Sequence, residues 1–180
     1  MSIAYVCGFV VGILCVAAVF ALIGFLWKKK HGAAYGTYDE RQILARGNAY
    51  KKGFFCLIIY EMVIGCIELA TGWKLFADQM TASFIGIILA VTVFALQCIM
   101  KDAYCSLSEK AGSVALLMFG LGVWNLVIAI INYSNGRAFI TDGRLNFHSL
   151  NILVFVMTVI VGIANLVKLH QNKQEAGEEI

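Results

Sequence analysis

Two acids, Glu61 and Glu68, stand inside an otherwise apolar stretch, YEMVIGCIELATGW at residues 60 to 73. A carboxyl in hydrocarbon can hold a proton or a cation, or it can hydrogen-bond to a neighbouring helix. The pair is seven residues apart, two helical turns less about 20°, so both acids share a face. Counted at about 1.5 Å per residue from Gly53, Glu61 lies about 12 Å into the stretch and Glu68 about 23 Å. Asn125, about 18 Å deep, and Thr92 and Thr158, near the level of Glu61, are the groups placed to meet them. These five residues form a candidate intramembrane polar site. No Lys or Arg lies inside any apolar run, so the spans themselves supply no cation to pair with either acid. The site would serve either as a proton or cation path or as interhelical hydrogen bonds worth on the order of 1 kcal/mol each.

Other chemistry has little equipment. The histidines His31, His148 and His170 lie outside the apolar runs, and no zinc-protease, nucleophile-elbow, phosphate-loop or dinucleotide motif occurs. Five of the six cysteines, Cys7, Cys15, Cys56, Cys66 and Cys98, lie within apolar runs and act as small hydrophobes. Cys105, in a loop, is a candidate for acylation. The expectation is a protein that is not an enzyme and that uses no cofactor and no metal.

The elements that must position these groups are membrane helices. The 180 residues are 61% hydrophobic, only 14% charged and free of proline, which sets the chain apart from a soluble domain. Five runs, about residues 3–27, 53–73, 82–100, 113–133 and 150–169, reach the roughly 20 residues that a helix needs to cross hydrocarbon. Helices satisfy their own backbone, so a five-helix transmembrane bundle is predicted over 1–169, with 170–180 a polar cytoplasmic tail that frays. The first run is read as a retained helix, because Lys28, Lys29 and Lys30 follow it and no cation precedes it. With the N-terminus outside, eleven Lys and Arg residues fall on the inner side and three, Lys74, Arg137 and Arg144, on the outer side. That asymmetry predicts an N-out, C-in orientation.

Small and polar residues recur at sevens along every run. Glu61, Gly65, Glu68 and Gly72 form one stripe, and Ser83, Ala90 and Gln97 another. Gly122, Asn125, Ala129 and Asn132 form a third, and Asn151, Thr158 and Asn165 a fourth. A left-handed bundle places such stripes at its contacts, so they are expected to face one another. Gly8 and Gly12 offer a possible homo-oligomer contact. Tyr60 is deep enough to donate to a neighbouring helix. Asn135-Gly136 and Asp142-Gly143 flank a short β-favouring run and predict a small capped loop or hairpin.

Between the first two runs lies YDERQILARGNAYKKGFF, residues 38 to 55. Thr37 and Glu40 have capping-box spacing, so a cytoplasmic juxtamembrane helix is expected to start there and to continue into the second span. Asp39, Glu40, Arg41, Gln42 and Arg46 form a candidate docking surface for a cytosolic partner or anionic lipid. The segment resembles the one after the first helix in uncharacterised small multi-span membrane proteins of Gram-positive bacteria. Asp39, Glu40, Arg41, Gln42, Arg46, Gly47, Tyr50 and Phe54 carry the likeness. It implies a bacterial cytoplasmic-membrane location and at most a regulatory or immunity role, with no catalytic residues to carry over. The expected function is therefore a non-enzymatic regulatory or immunity-type module. The alternatives are a small proton-coupled transporter or channel using Glu61, and an accessory subunit of a larger membrane complex.

Overall fold

A computed structural model describes residues 38–106 and 109–178, together with Ala18, Leu22 and Phe25. The expected first span, with Gly8 and Gly12, lies outside the described residues apart from those three, as does Thr37. The elements that follow belong to one compact unit, residues 38–105 and 109–180.

Four helices carry the fold: α1 (Glu40–Thr71), α2 (Gln79–Met100), α3 (Ala111–Ser134) and α4 (Leu150–Glu178). All four are long and apolar enough to cross a bilayer, the signature of a multi-pass membrane protein. Helix α1 packs on α2, α2 on α4, and α4 on α3. A short connection makes α1 and α2 antiparallel neighbours, and α3 and α4 pack together across the longer segment 135–149.

Helix α1 has 32 residues, about 48 Å, so it exceeds a 30 Å hydrocarbon core by several turns. The juxtamembrane helix and the span are thus one rod, and Gly47 does not break it. Its start differs from the expectation by two residues. The capping box is Asp39 with Gln42, in which the Asp39 carboxylate accepts from the Gln42 backbone N–H at 2.6 Å. The Gln42 side-chain oxygen accepts from the Asp39 N–H at 3.2 Å. Gly72, at φ +66°, ends the helix in the left-handed region. Asp78 caps α2 by accepting from the Thr81 N–H and hydroxyl, both at 2.8 Å.

Helix α4 continues nine residues past Leu169, into the segment expected as a polar tail. Residues 171–176 are mostly good helix formers, and Asn172 is anchored to the α2–α3 loop. At the opposite end of the bundle the predicted hairpin is present. Strands β1 (Ile140–Thr141) and β2 (Arg144–Leu145) pair antiparallel. Asp142 and Gly143, at φ +51° and +74°, make the two-residue turn whose twist suits such a hairpin. The α1–α2 connection joins this cap: Leu145 donates to the Leu75 carbonyl, and Ala77 donates to that of Leu145. Phe76, Ala82, Ile85 and Leu150 form the core beneath it.

The sevenfold stripes are partly at contacts. On α4, Thr158 and Asn165 are buried, 2% and 4% exposed, as that stripe requires. Gly122 and Ala129 are buried on α3, and an added Cβ at Gly122 would meet the Thr158 hydroxyl at 2.7 Å. On α1 the stripe is displaced. The face on α2 runs through Gln42, Arg46, Ala49, Gly53, Leu57, Tyr60 and Ile64, one position behind the acids. Gly53 sits against the Ala90 carbonyl, and the Tyr60 hydroxyl donates to the Ala82 carbonyl at 2.9 Å. A Cβ added at Gly65 would meet nothing within 4 Å among the described residues. The small residues that permit close approach, Ala49, Gly53 and Gly86, select this face over the one that carries Glu61.

Gly86 therefore should not tolerate a methyl group, since a Cβ there would lie 2.6 Å from the Tyr60 ring, itself fixed by its hydroxyl bond. Gly86→Ala is expected to destabilise by about 1–3 kcal/mol. Gly65→Ala should be neutral or stabilising by up to about 1 kcal/mol. Unfolding titrations of the purified chain in mixed micelles check both; the reverse order would place the acid stripe at the contact.

Candidate functional site

The five residues of the intramembrane polar site do not converge among the described residues. Glu61 is exposed and Glu68 half-buried on α1. No described residue donates a hydrogen bond to either carboxylate. The hydroxyls and the amide bond to their own helices. Thr92 donates to the Ile88 carbonyl at 2.7 Å, and Thr158 to those of Val154 and Phe155 at 2.9 Å. Asn125 donates to the Leu121 carbonyl at 2.9 Å. Such i−4 bonds satisfy the side chain locally and leave it little to offer an acid on another helix. Asn165 is different: its buried amide nitrogen has no partner among the described residues. It lines a small cavity of about 170 Å³ with Asp102, Tyr104, Lys168 and Asn172, room for ordered water.

The lysine-rich end is built differently, and its centre is a turn that sequence reading passed over. Helix α2 ends in two closing bonds, Asp102 N–H to the Ile99 carbonyl at 3.1 Å and Ala103 N–H to the Cys98 carbonyl at 2.8 Å. This is the Schellman pattern, which calls for a left-handed residue, usually glycine. Asp102 fills that position at φ +53°. Its side chain accounts for the choice: the carboxylate pairs with Lys168 at 3.2 Å and accepts from the Asn172 amide at 2.9 Å, tying the turn to α4.

Helix α1 holds the same turn from the other side. Gln42, 7% exposed, donates through its amide to the Asp102 carbonyl at 2.8 Å and the Cys105 carbonyl at 3.4 Å. Arg46 donates to the carbonyls of Ala103 at 3.0 Å and Tyr104 at 3.4 Å. Its guanidinium lies 4.3 Å over the Tyr38 ring and 5.6 Å from the Phe94 ring centre. Of the five residues expected at the docking surface, Asp39 and Gln42 cap the helix, and Gln42 and Arg46 clamp a loop. Glu40 and Arg41 remain exposed with no partner among the described residues. The signal that could have pointed to this clamp is the glutamine at the third position of a helix, four residues before an arginine. Both are long donors on one face, beside a loop of unpaired carbonyls. The Asp102 anchor had a weaker signal, a Lys and an Asn at i and i+4 near the end of the last helix.

Cys105 is half-buried in this turn. Burial pushes its thiol above the ordinary value, and the neighbouring Glu109 carboxylate pushes it the same way. Both causes disfavour the thiolate, which is the reactive form. The described residues hold no cluster of His, Cys, Asp and Glu fit to bind a metal ion. Comparison with family models, curated proteins and solved structures gives no match to this chain.

Two outcomes follow from the clamp. Arg46→Ala should destabilise by about 1–3 kcal/mol because it strands buried carbonyls, whereas Arg41→Ala should stay within about 0.5 kcal/mol of the parent, both read by unfolding in detergent. In a variant keeping Cys105 alone, alkylation should be slower at pH 7 than in the unfolded chain. Because the folded pKa is raised, the two rates should converge only above the ordinary thiol pKa. Equal rates at pH 7 would contradict the burial.

Proposed function

We propose that this chain is a non-enzymatic, regulatory or immunity-type module of a bacterial cytoplasmic membrane that acts by binding a protein partner. In this reading it has five spans, with the N-terminus outside and the lysine-rich end in the cytoplasm. The observation that carries the reading is the placement of Glu61. An acid at membrane depth is costly unless a donor meets it. Here it stands exposed on the flank of α1 turned away from the α2 contact, beside Met62 and Ile58. Residues 3–27 contain no Lys, Arg, His, Asn, Gln, Ser or Thr, and their O–H and N–H side-chain donors, Tyr5 and Trp27, stand near the two ends of that run. A helix of another protein, carrying an amide or a cation at that depth, would supply one.

A proton or cation path through Glu61 has less behind it, because Thr92, Thr158 and Asn125 turn to their own backbones. The accessory-subunit role is the same proposal with a larger partner.

A photo-crosslinking amino acid at Met62 is expected to give a discrete protein adduct in native membranes. Glu61→Gln, which can still hydrogen-bond, should keep the adduct and Glu61→Val should reduce it at least fivefold. Adducts with lipid alone, or equal yields from the two variants, would refute the reading. Proton flux in liposomes that depends on Glu61 would turn it toward transport.

A further inference from the structure

The cleft between α1 and α2 at the lysine end has a volume of about 840 Å³ and is lined by two kinds of residue. At its mouth stand Lys51, Lys52 and Lys101; Phe55, Cys56 and Ile59 line it toward the apolar run of α1, and Ala45 lines it on the other side of the lysines. No lining residue is acidic. The polar and apolar parts are ordered along the helix axis: from Lys52 to Ile59 is seven residues, about 10 Å of rise. The Lys52 ammonium is held toward α2 by the Gln97 side-chain oxygen at 2.5 Å, so one cation already points across the mouth. The single carboxylate nearest Lys101 in the chain, Asp102, is committed to Lys168 and Asn172 and does not neutralise it.

A ligand that fits must be anionic at one end and apolar for about 10 Å beyond, and it must approach where the apolar run of α1 begins, at Gly53. We propose that this cleft binds one anionic glycerophospholipid, its phosphate held by Lys51, Lys52 and Lys101 and an acyl chain laid along Phe55, Cys56 and Ile59. Three cations converging on one phosphate give selectivity over a zwitterionic lipid, whose own ammonium they repel. The groove between the helices gives the chain a surface that bulk lipid does not. The proposal needs only that the helices span a membrane, and it is independent of the partner at Glu61.

Native mass spectrometry of the full chain, released from vesicles of equal phosphatidylglycerol and phosphatidylcholine, reads the lipid that stays bound. The wild type should retain one phosphatidylglycerol, enriched at least tenfold over phosphatidylcholine. The triple variant Lys51→Gln/Lys52→Gln/Lys101→Gln should fall to near parity. Cys56→Trp, which fills the slot and leaves every charge, should also lose the lipid. Lys74→Gln/Arg137→Gln, at the other end of the bundle, should keep the full enrichment. Parity in the wild type, or enrichment unchanged in the triple variant, overturns the proposal, as does glycerol phosphate competing as well as the lipid. A photo-crosslinker at Ile59 tests the occupant without altering a charge. A mass increase of one phospholipid is expected, and adducts with residues 1–37 or with a second copy would overturn the assignment.

Discussion

A helix that ends beside a bilayer leaves carbonyl oxygens that bulk water cannot be relied on to reach, and each one left bare is costly. The end of α2 meets this constraint within the protein. Its last carbonyls close on the Schellman bonds of Asp102 and Ala103, and the loop carbonyls beyond are taken by Gln42 and Arg46 from α1. The Asp102 carboxylate then brings in α4 through Lys168 and Asn172. One turn of about four residues thus fixes the relation of three helices. Hydrophobic burial gives no preference for helix pairing within lipid, so such polar ties, with close approach at glycine, are what hold the bundle in register.

That constraint changes how the charged segment before the second span is understood. Arg46 at a membrane boundary reads naturally as a headgroup or partner contact. In the fold it is sandwiched between Tyr38 and Phe94 with its donors on two carbonyls. Among the described residues, Glu40, Arg41 and Glu61 have no such bond to hold, and Lys52 holds only the Gln97 side chain.

Helix existence was legible because apolar length alone dictates it, and four of the expected spans match the four described helices within a few residues at most ends. The hairpin was legible because Asp142-Gly143 has few alternatives. Which face of α1 packs was not. Two interleaved stripes satisfy the sevenfold period, and the acids drew attention to the wrong one. What decides between them is the shape of α2, where Gly86 opens a seat for the Tyr60 ring, and that pairing is visible only across helices. The capping box slipped by two residues because Asp39 and Gln42 fit the pattern as well as Thr37 and Glu40. The polar site failed to assemble because Thr and Asn side chains reach their own i−4 carbonyls more readily than a distant carboxyl.

The order of contacts, α1 to α2 to α4 to α3, bears on how the chain comes to be made. The first and last of these pairings join helices adjacent in sequence, and the pairing between α2 and α4 is the long-range step. Each helical hairpin can therefore enter the bilayer as a unit during synthesis, the first before the second exists. The late event is the docking of the two hairpins. The lock on that docking, the tie of Lys168 and Asn172 to Asp102, closes only once α4 has followed the first hairpin into place.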